Sequence, residues 1–217
     1  MEAYPLTFKL LFFSIILSML IGAVVAIGSL SSKGWAKKIS KTYISFIRGI
    51  PNLIILFLLY FGLPLVLGVF GVNMNKIDKS LYLIAGLSFG ASANMSEMMR
   101  SAYLAVDKGQ REAAYSVGMT PFQAFRRVIF PQAVGVAIPT FGNNVLNLFK
   151  ETSLAFSVGV VDLLGKAKAI NSANLGVYQL EVFIAAAVVF WISCFILENL
   201  FKLIENFYVR GRKKLTS

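Results

Sequence analysis

Uncharged apolar runs divide the 217 residues into blocks rather than amphipathic stripes. The run 10–30 carries no ionisable side chain, and as a helix it reaches about 31 Å, the depth of a bilayer's hydrocarbon layer. Four more spans follow at 49–70, 81–97, 130–149 and 180–201, the third ending on Glu97 and the fifth extending the charge-free run 182–197 at each end. The second contains Pro51 and Pro64, which are expected to kink it, and Gln132, Asn143, Asn144 and Asn147 interrupt the fourth. Lipid offers no partner to free backbone groups, so each run is predicted to be a helix. The pattern thus predicts an all-α integral membrane protein, one domain over 1–217 with five transmembrane helices. A polar loop at 104–130 separates the third span from the fourth.

Charge changes the picture by giving it a direction. Only 14% of residues are charged, too few to clothe a soluble globule of this size, yet the net charge is +11. With the N-terminus outside, the loop 31–48 holds Lys33, Lys37, Lys38, Lys41 and Arg48 on the cytoplasmic side. The loop 98–130 then holds Arg100, Lys108, Arg111, Arg126 and Arg127, and the tail Lys202, Arg210, Arg212, Lys213 and Lys214. Lys9, Lys76, Lys79, Lys150, Lys166 and Lys168 remain outside or at the outer boundary. The positive-inside rule therefore predicts N-out, C-in, and accounts for the charge without nucleic acid.

Other chemistry is narrowed by what the chain lacks. It has no His, and its one cysteine, Cys194, sits in an apolar run, where a packing or lipid-facing role is expected. Neither metal nor redox chemistry is supported. The N-terminus opens with Glu2 and runs into an apolar stretch too long for a signal core, so no cleavable signal is expected. Small residues recur at packing intervals: Ser14, Ser18, Gly22 and Ala26, then Gly86 and Gly90. Such rows let helices approach closely in lipid and predict a tight bundle.

The loop at 104–130 carries the most local information. Asp107 with Gln110 three residues on reads as a capping box variant, starting a helix through Glu112, Ala113 and Ala114. Gly118 suits a left-handed cap, Thr120 an N-cap and Pro121 the first turn of a second helix; Pro131 marks entry to the fourth span. Two short helices meeting at a glycine elbow are predicted. The two alanines beside Glu112 give a narrow face that can enter another protein's groove, although a surface-lying linker has the same pattern.

The spacing of Glu112-Ala113-Ala114, Gly118 and Val128-Ile129-Phe130-Pro131 resembles the EAA loop of ABC-importer permeases, with Val128 for the usual Ile and Phe130 for the usual Leu. The stretches 46–51 (FIRGIP), 58–64 (LLYFGLP), 101–103 (SAY), 108–114 (KGQREAA) and 150–154 (KETSL) are similar to the polar amino acid branch, the histidine, glutamine, arginine and cystine permeases. The wording around 94–103 is most like the cystine permeases. The resemblance implies a type I importer half-pore in the bacterial inner membrane, working as a homodimer or heterodimer. It also implies a coupling helix with Gln110, Glu112, Ala113, Ala114, Gly118 and Pro131 at the ATPase contact, and an external amino acid-binding protein. ATP and Mg are implied for the cytoplasmic ATPase dimer, with no cofactor in this chain. Consistent with that, the only Gly-Lys pair is Gly165-Lys166, and Val160 stands where a P-loop needs glycine.

Polar residues at membrane depth are costly and face a cavity or a partner. Thr140, Asn144, Asn147 and Glu151, spaced 4, 3, 4, share one helix face, and Asn94, Glu97 and Ser101 share another. The first stripe reads as a wall of the substrate path, with Asn94 opposite, or as hydrogen bonding between helices of a dimeric bundle; both readings stay open. Glu97 and Arg100 read as an interfacial ion pair, and Arg48 as a boundary cation. Asp162 and the segment 166–174 are expected to meet an external binding protein. A secondary carrier or channel using Glu97, Glu151 and Glu181 is the alternative function. No inverted repeat supports it, and no catalytic constellation supports an enzyme.

Overall fold

The computed structural model describes residues 3–71 and 77–213, with side chains as far as Tyr208. Lys76 and Lys214 of the charge count lie outside the described residues, as do the side chains of Arg210, Arg212 and Lys213. Helices dominate: α1 (Ala3–Leu30), α2 (Gly34–Gly49), α3 (Asn52–Phe57), α4 (Leu63–Val69), α5 (Lys79–Leu104), α6 (Lys108–Ser116), α7 (Pro121–Ala124), α8 (Phe130–Glu151), α9 (Leu163–Ala173) and α10 (Gln179–Lys213). No strand occurs among the described residues. The rod α3–α4, together with α1 and α10, is long and apolar enough to cross a membrane. Helices α5 and α8 reach about 39 and 33 Å at 1.5 Å per residue, but carry more polar side chains.

The centre of the bundle is the seam between α1 and α5. Thr7, Leu11, Ser14, Ser18, Gly22 and Ala26 are buried along α1, and half of α5, from Tyr82 to Ala102, is buried with them. A Cβ at Gly22 would stand 2.9 Å from Met95 Cβ and 3.0 Å from Ser92 O, so hydrogen alone fits there. Dispersion over a close seam replaces the hydrophobic drive that lipid removes. Two apolar clusters flank it, one around Leu10, Leu56 and Leu83, the other around Leu11, Leu87, Leu148 and Phe149. Cys194, half-buried, packs at the edge of the second.

Several boundaries differ from the sequence expectation. The loop 31–48 is mostly the helix α2, whose buried Ser40, Ile44 and Ile47 lie on one face while its cations lie on another. The second span begins at Asn52, because Pro51 and extended Ile50 break the chain after Gly49. The third helix runs on past Glu97 to Leu104, since its outer residues pack beyond the apolar run. Two prolines act through the turn before them. Leu58–Gly62 and Phe125–Ile129 are π-helical, and each ends two residues before a proline, Pro64 or Pro131. A wider turn relieves the clash of the proline ring with the carbonyl four residues back.

The ends of the bundle are distinct. At one end the Tyr208 hydroxyl donates to Pro131 O, and Ser29, Lys41, Glu97 and Arg100 line a common cavity. At the other, the Tyr4 hydroxyl meets Ser193 Oγ at 2.6 Å, and Leu163 N–H lies 3.4 Å from Thr7 Oγ1. Asp162 is fully buried, not turned to a partner as the sequence suggested. It caps α9, accepting from Gly165 N–H at 2.8 Å. Burial pushes its carboxyl above the usual range, and the Gly165 and Leu164 backbone bonds oppose that. The segment 166–174, read as a polar stretch, is mainly the helix α9.

Candidate functional site

Two constellations sit on this frame, an elbow outside the bundle and a polar face inside it. The elbow is built by local chemistry. Asp107 Oδ1 accepts from Gly109 N–H at 2.5 Å and starts α6. The expected box with Gln110 does not form: Asp107 reaches the second N–H of the helix, and Gln110 is left to accept from Gln132 Nε2 at 3.3 Å. The helix closes with Gly118 at φ +79°, whose N–H donates to Tyr115 O, while Met119 N–H donates to Ala114 O at 3.1 Å. Thr120 then starts α7 with a full capping box. Gln123 N–H donates to Thr120 Oγ1 at 3.3 Å, and Thr120 N–H to Gln123 Oε1 at 3.0 Å.

The paired alanines do not share a face. Ala114 is buried against the chain's own elements, while Ala113 lies exposed beside Glu112. Helix geometry dictates this, because adjacent residues point about 100° apart. Tyr115, Val117 and Phe122 add exposed apolar surface around the elbow, and Gln110 and Gly118 are exposed too. Pro131 stands at the first turn of α8, tied to α10 through Tyr208. The elbow is therefore a capped, exposed segment that joins the ends of two long helices.

The polar face lies between α3, α5 and α8. Glu151 Oε1 accepts from Asn52 Nδ2 at 2.6 Å, a pair 99 residues apart in the chain. The pair fits because Gly90 stands beneath it; a Cβ there would collide with the Asn52 carboxamide. Asn144, half-buried, lies 3.8 Å from Met95 Sδ and 3.9 Å from Met98 Sδ, so this one residue of the predicted stripe turns toward α5. Thr140, Asn147 and Asn94 are exposed. Asn52 was missed by sequence reading. Its signal was a single carboxamide directly after Pro51 at the head of an apolar run.

Nearer the elbow end, Arg100 Nη2 meets Glu97 Oε2 at 2.8 Å and its Nε lies 3.1 Å from Oε1, the ion pair expected from their spacing. A cavity of about 450 Å³ holds Lys37 and Lys41 beside that pair, and a neighbouring one holds Arg48. No cluster of metal-ligating side chains occurs among the described residues. A carboxylate flanked by carboxamides suits a zwitterion: it accepts from an ammonium group while the amides donate to a carboxylate.

The chain is similar to known proteins over most of its length. Residues 18–209 match the family described as "binding-protein-dependent transport system inner membrane component". The probable amino-acid permease protein YxeN of Bacillus subtilis (strain 168) is 38% identical over 98% of this chain and 91% of its own length. The L-cystine transport system permease protein TcyL of the same organism is 34% identical over 98% of this chain and 88% of its own. A crystal structure of an amino acid ABC transporter with histidines superposes with a TM-score of 0.82 at 33% identity, covering 94% of this chain and 92% of the other.

Proposed function

This chain belongs to the binding-protein-dependent transport system inner membrane components, the permease subunits of ABC importers, and from that premise we propose that it forms half of the pore of an amino acid importer, with L-cystine or a related sulphur amino acid as its substrate. Five spans run N-out, C-in through the bacterial inner membrane, and the elbow faces the cytosol. The cations gathered at the elbow end support that orientation. Glutamine, arginine and histidine are the competing substrates. Membership in the family sets aside an ion-gradient carrier, and the chain itself is not an enzyme.

The exposed elbow is the observation that carries the reading. A helix capped at both ends, with Glu112 and Ala113 outward and Tyr115, Val117 and Phe122 uncovered around it, suits a groove in another protein. Gln110, Glu112, Ala113, Gly118 and Pro131 form or hold that contact, and Ala114 anchors it from inside. The partner is a cytoplasmic ATPase dimer that binds ATP and Mg. A second permease copy completes the pore, and an external binding protein delivers the amino acid. Thr140, Asn144, Asn147, Glu151, Asn94 and Asn52 line the path, with Glu151 receiving the α-ammonium group.

The test is co-purification of the tagged permease with its genomic neighbours, wild type against Glu112→Arg and Gly118→Leu. The expected result is an ATPase that accompanies the wild type and is lost from both variants, while all three permeases stay monodisperse. An ATPase retained by both variants, or absent from the wild type, overturns the coupling role. Stimulation of ATP hydrolysis by L-cystine rather than by the three competitors then decides the substrate.

A further inference from the structure

Behind the elbow, four side chains from four elements stand in one continuous stack. The Arg111 guanidinium of α6 lies 4.9 Å from the Tyr103 ring centroid of α5. The Tyr103 ring is 6.5 Å from Phe125 in the π turn, and Phe125 is 5.7 Å from Phe130 at the head of α8. All three spacings fall within the contact range for cation–aromatic and aromatic pairs. Among the described residues Arg111 Nε is buried without a hydrogen-bond partner, so the ring face contributes what a carboxylate does elsewhere.

Next to the stack lies a nearly wholly apolar cavity of about 250 Å³, bounded by Ala102, Tyr103, Phe125, Phe130, Ala133 and Ala137. The cavity opens to the surface, since Ile27, Phe125 and Phe130 on its walls are exposed, and it leaves free space beside the stack. The turn that carries Phe125 is also unusual. Phe130 N–H donates to Phe125 O five residues back, one residue wider than an α turn. Shifting that register by one residue gives a second discrete arrangement and swings Phe125 by about 100°. Transmission between sites needs such a two-state element, not mere proximity.

We propose that Arg111, Tyr103, Phe125 and Phe130 form a strut that carries motion of α6 into α5 and α8, and that the cavity beside it is the room in which the strut moves. This rests on the coupling role given to α6 above. Arg111 and Tyr103 are positioning residues: neither is assigned to the substrate path or to the exposed docking face. Gln110 with Gln132 makes a parallel tie from α6 to α8, which keeps α6 seated when the stack is cut.

The experiment uses the full complex in proteoliposomes and reads amino acid accumulated per ATP hydrolysed. The probe is whichever of labelled L-cystine, L-glutamine, L-arginine and L-histidine the wild type accumulates. Arg111→Lys keeps the charge and removes the planar stack, Tyr103→Leu keeps bulk and removes the ring, and Ala137→Leu fills the cavity without replacing any residue of the stack. Each is expected to retain the ATPase while the ratio falls on the order of tenfold, within the range of coupling factors between sites. The Arg111→Lys, Tyr103→Leu double variant should be no worse than the worse single one, because both cut the same contact. An unchanged ratio in Arg111→Lys and Ala137→Leu overturns the strut. Loss of the ATPase from Arg111→Lys also overturns it, since the residue then acts in docking. A wild type that brings no ATPase defeats the coupling role itself, a separate outcome.

Discussion

Gly22 in the α1–α5 seam and Gly118 in the elbow are both required glycines, for opposite reasons. At Gly22 the backbone is ordinary helix, and a Cβ is forbidden by Met95, Ser92 and Ser96 from a helix far along the chain. At Gly118 the surroundings are open, and it is the backbone, at φ +79°, that disfavours a side chain. One constraint comes from packing and the other from a single turn. The first protects the fold, whereas the second sets the direction of a protrusion and leaves the bundle behind it intact.

The largest break in this contrast is Gly22→Leu. A branched side chain in a seam with no room should force the helices apart, and monodisperse protein after detergent extraction should be almost lost. Gly118→Leu should cost about 1–2 kcal/mol of local strain, and ATPase capture should fail while the extracted permease remains monodisperse. Asparagine sharpens the comparison further. It tolerates the left-handed region, so Gly118→Asn should recover most of the capture lost in Gly118→Leu, whereas Gly22→Asn should extract as poorly as Gly22→Leu. Thr120→Ala removes the capping box and should weaken α7 by about 1 kcal/mol, read as earlier proteolysis within the elbow. The smallest effect belongs to Glu97→Gln. That pair is about one-third exposed, so the thermal midpoint should move by less than the equivalent of about 1 kcal/mol.

Local chemistry made the elbow readable in advance. Asp107, Gly118, Thr120 and Pro121 each act on a backbone within a few residues of themselves, and three of the four do what their positions implied. The small-residue row of α1 was equally visible, but nothing in it names α5 as the helix it meets. Helix α2 escaped because five cations over 31–48 resemble an exposed loop, and its buried Ser40 and Ile44 show only once α1 and α5 stand beside it. Asp162 misled for the same reason, since an acid between apolar runs looks exposed until its capping role at α9 is seen. In the polar face, Glu151 was apparent and Asn52 was not, because periodicity relates residues on one helix and is silent about a partner 99 positions away.

Helix α10 has one further consequence. Its 35 unbroken residues reach about 52 Å, well beyond the roughly 30 Å of a bilayer's hydrocarbon. Most of its described apolar residues, among them Leu180, Trp191, Phe195 and Leu203, are uncovered, and lipid accommodates so long a span by tilting it, kinking it or thickening locally. Near its far end, Tyr208 holds Pro131, where the elbow joins α8. A thinner membrane that tips this rod is expected to pull on the joint, so lipid chain length should act on the elbow through α10.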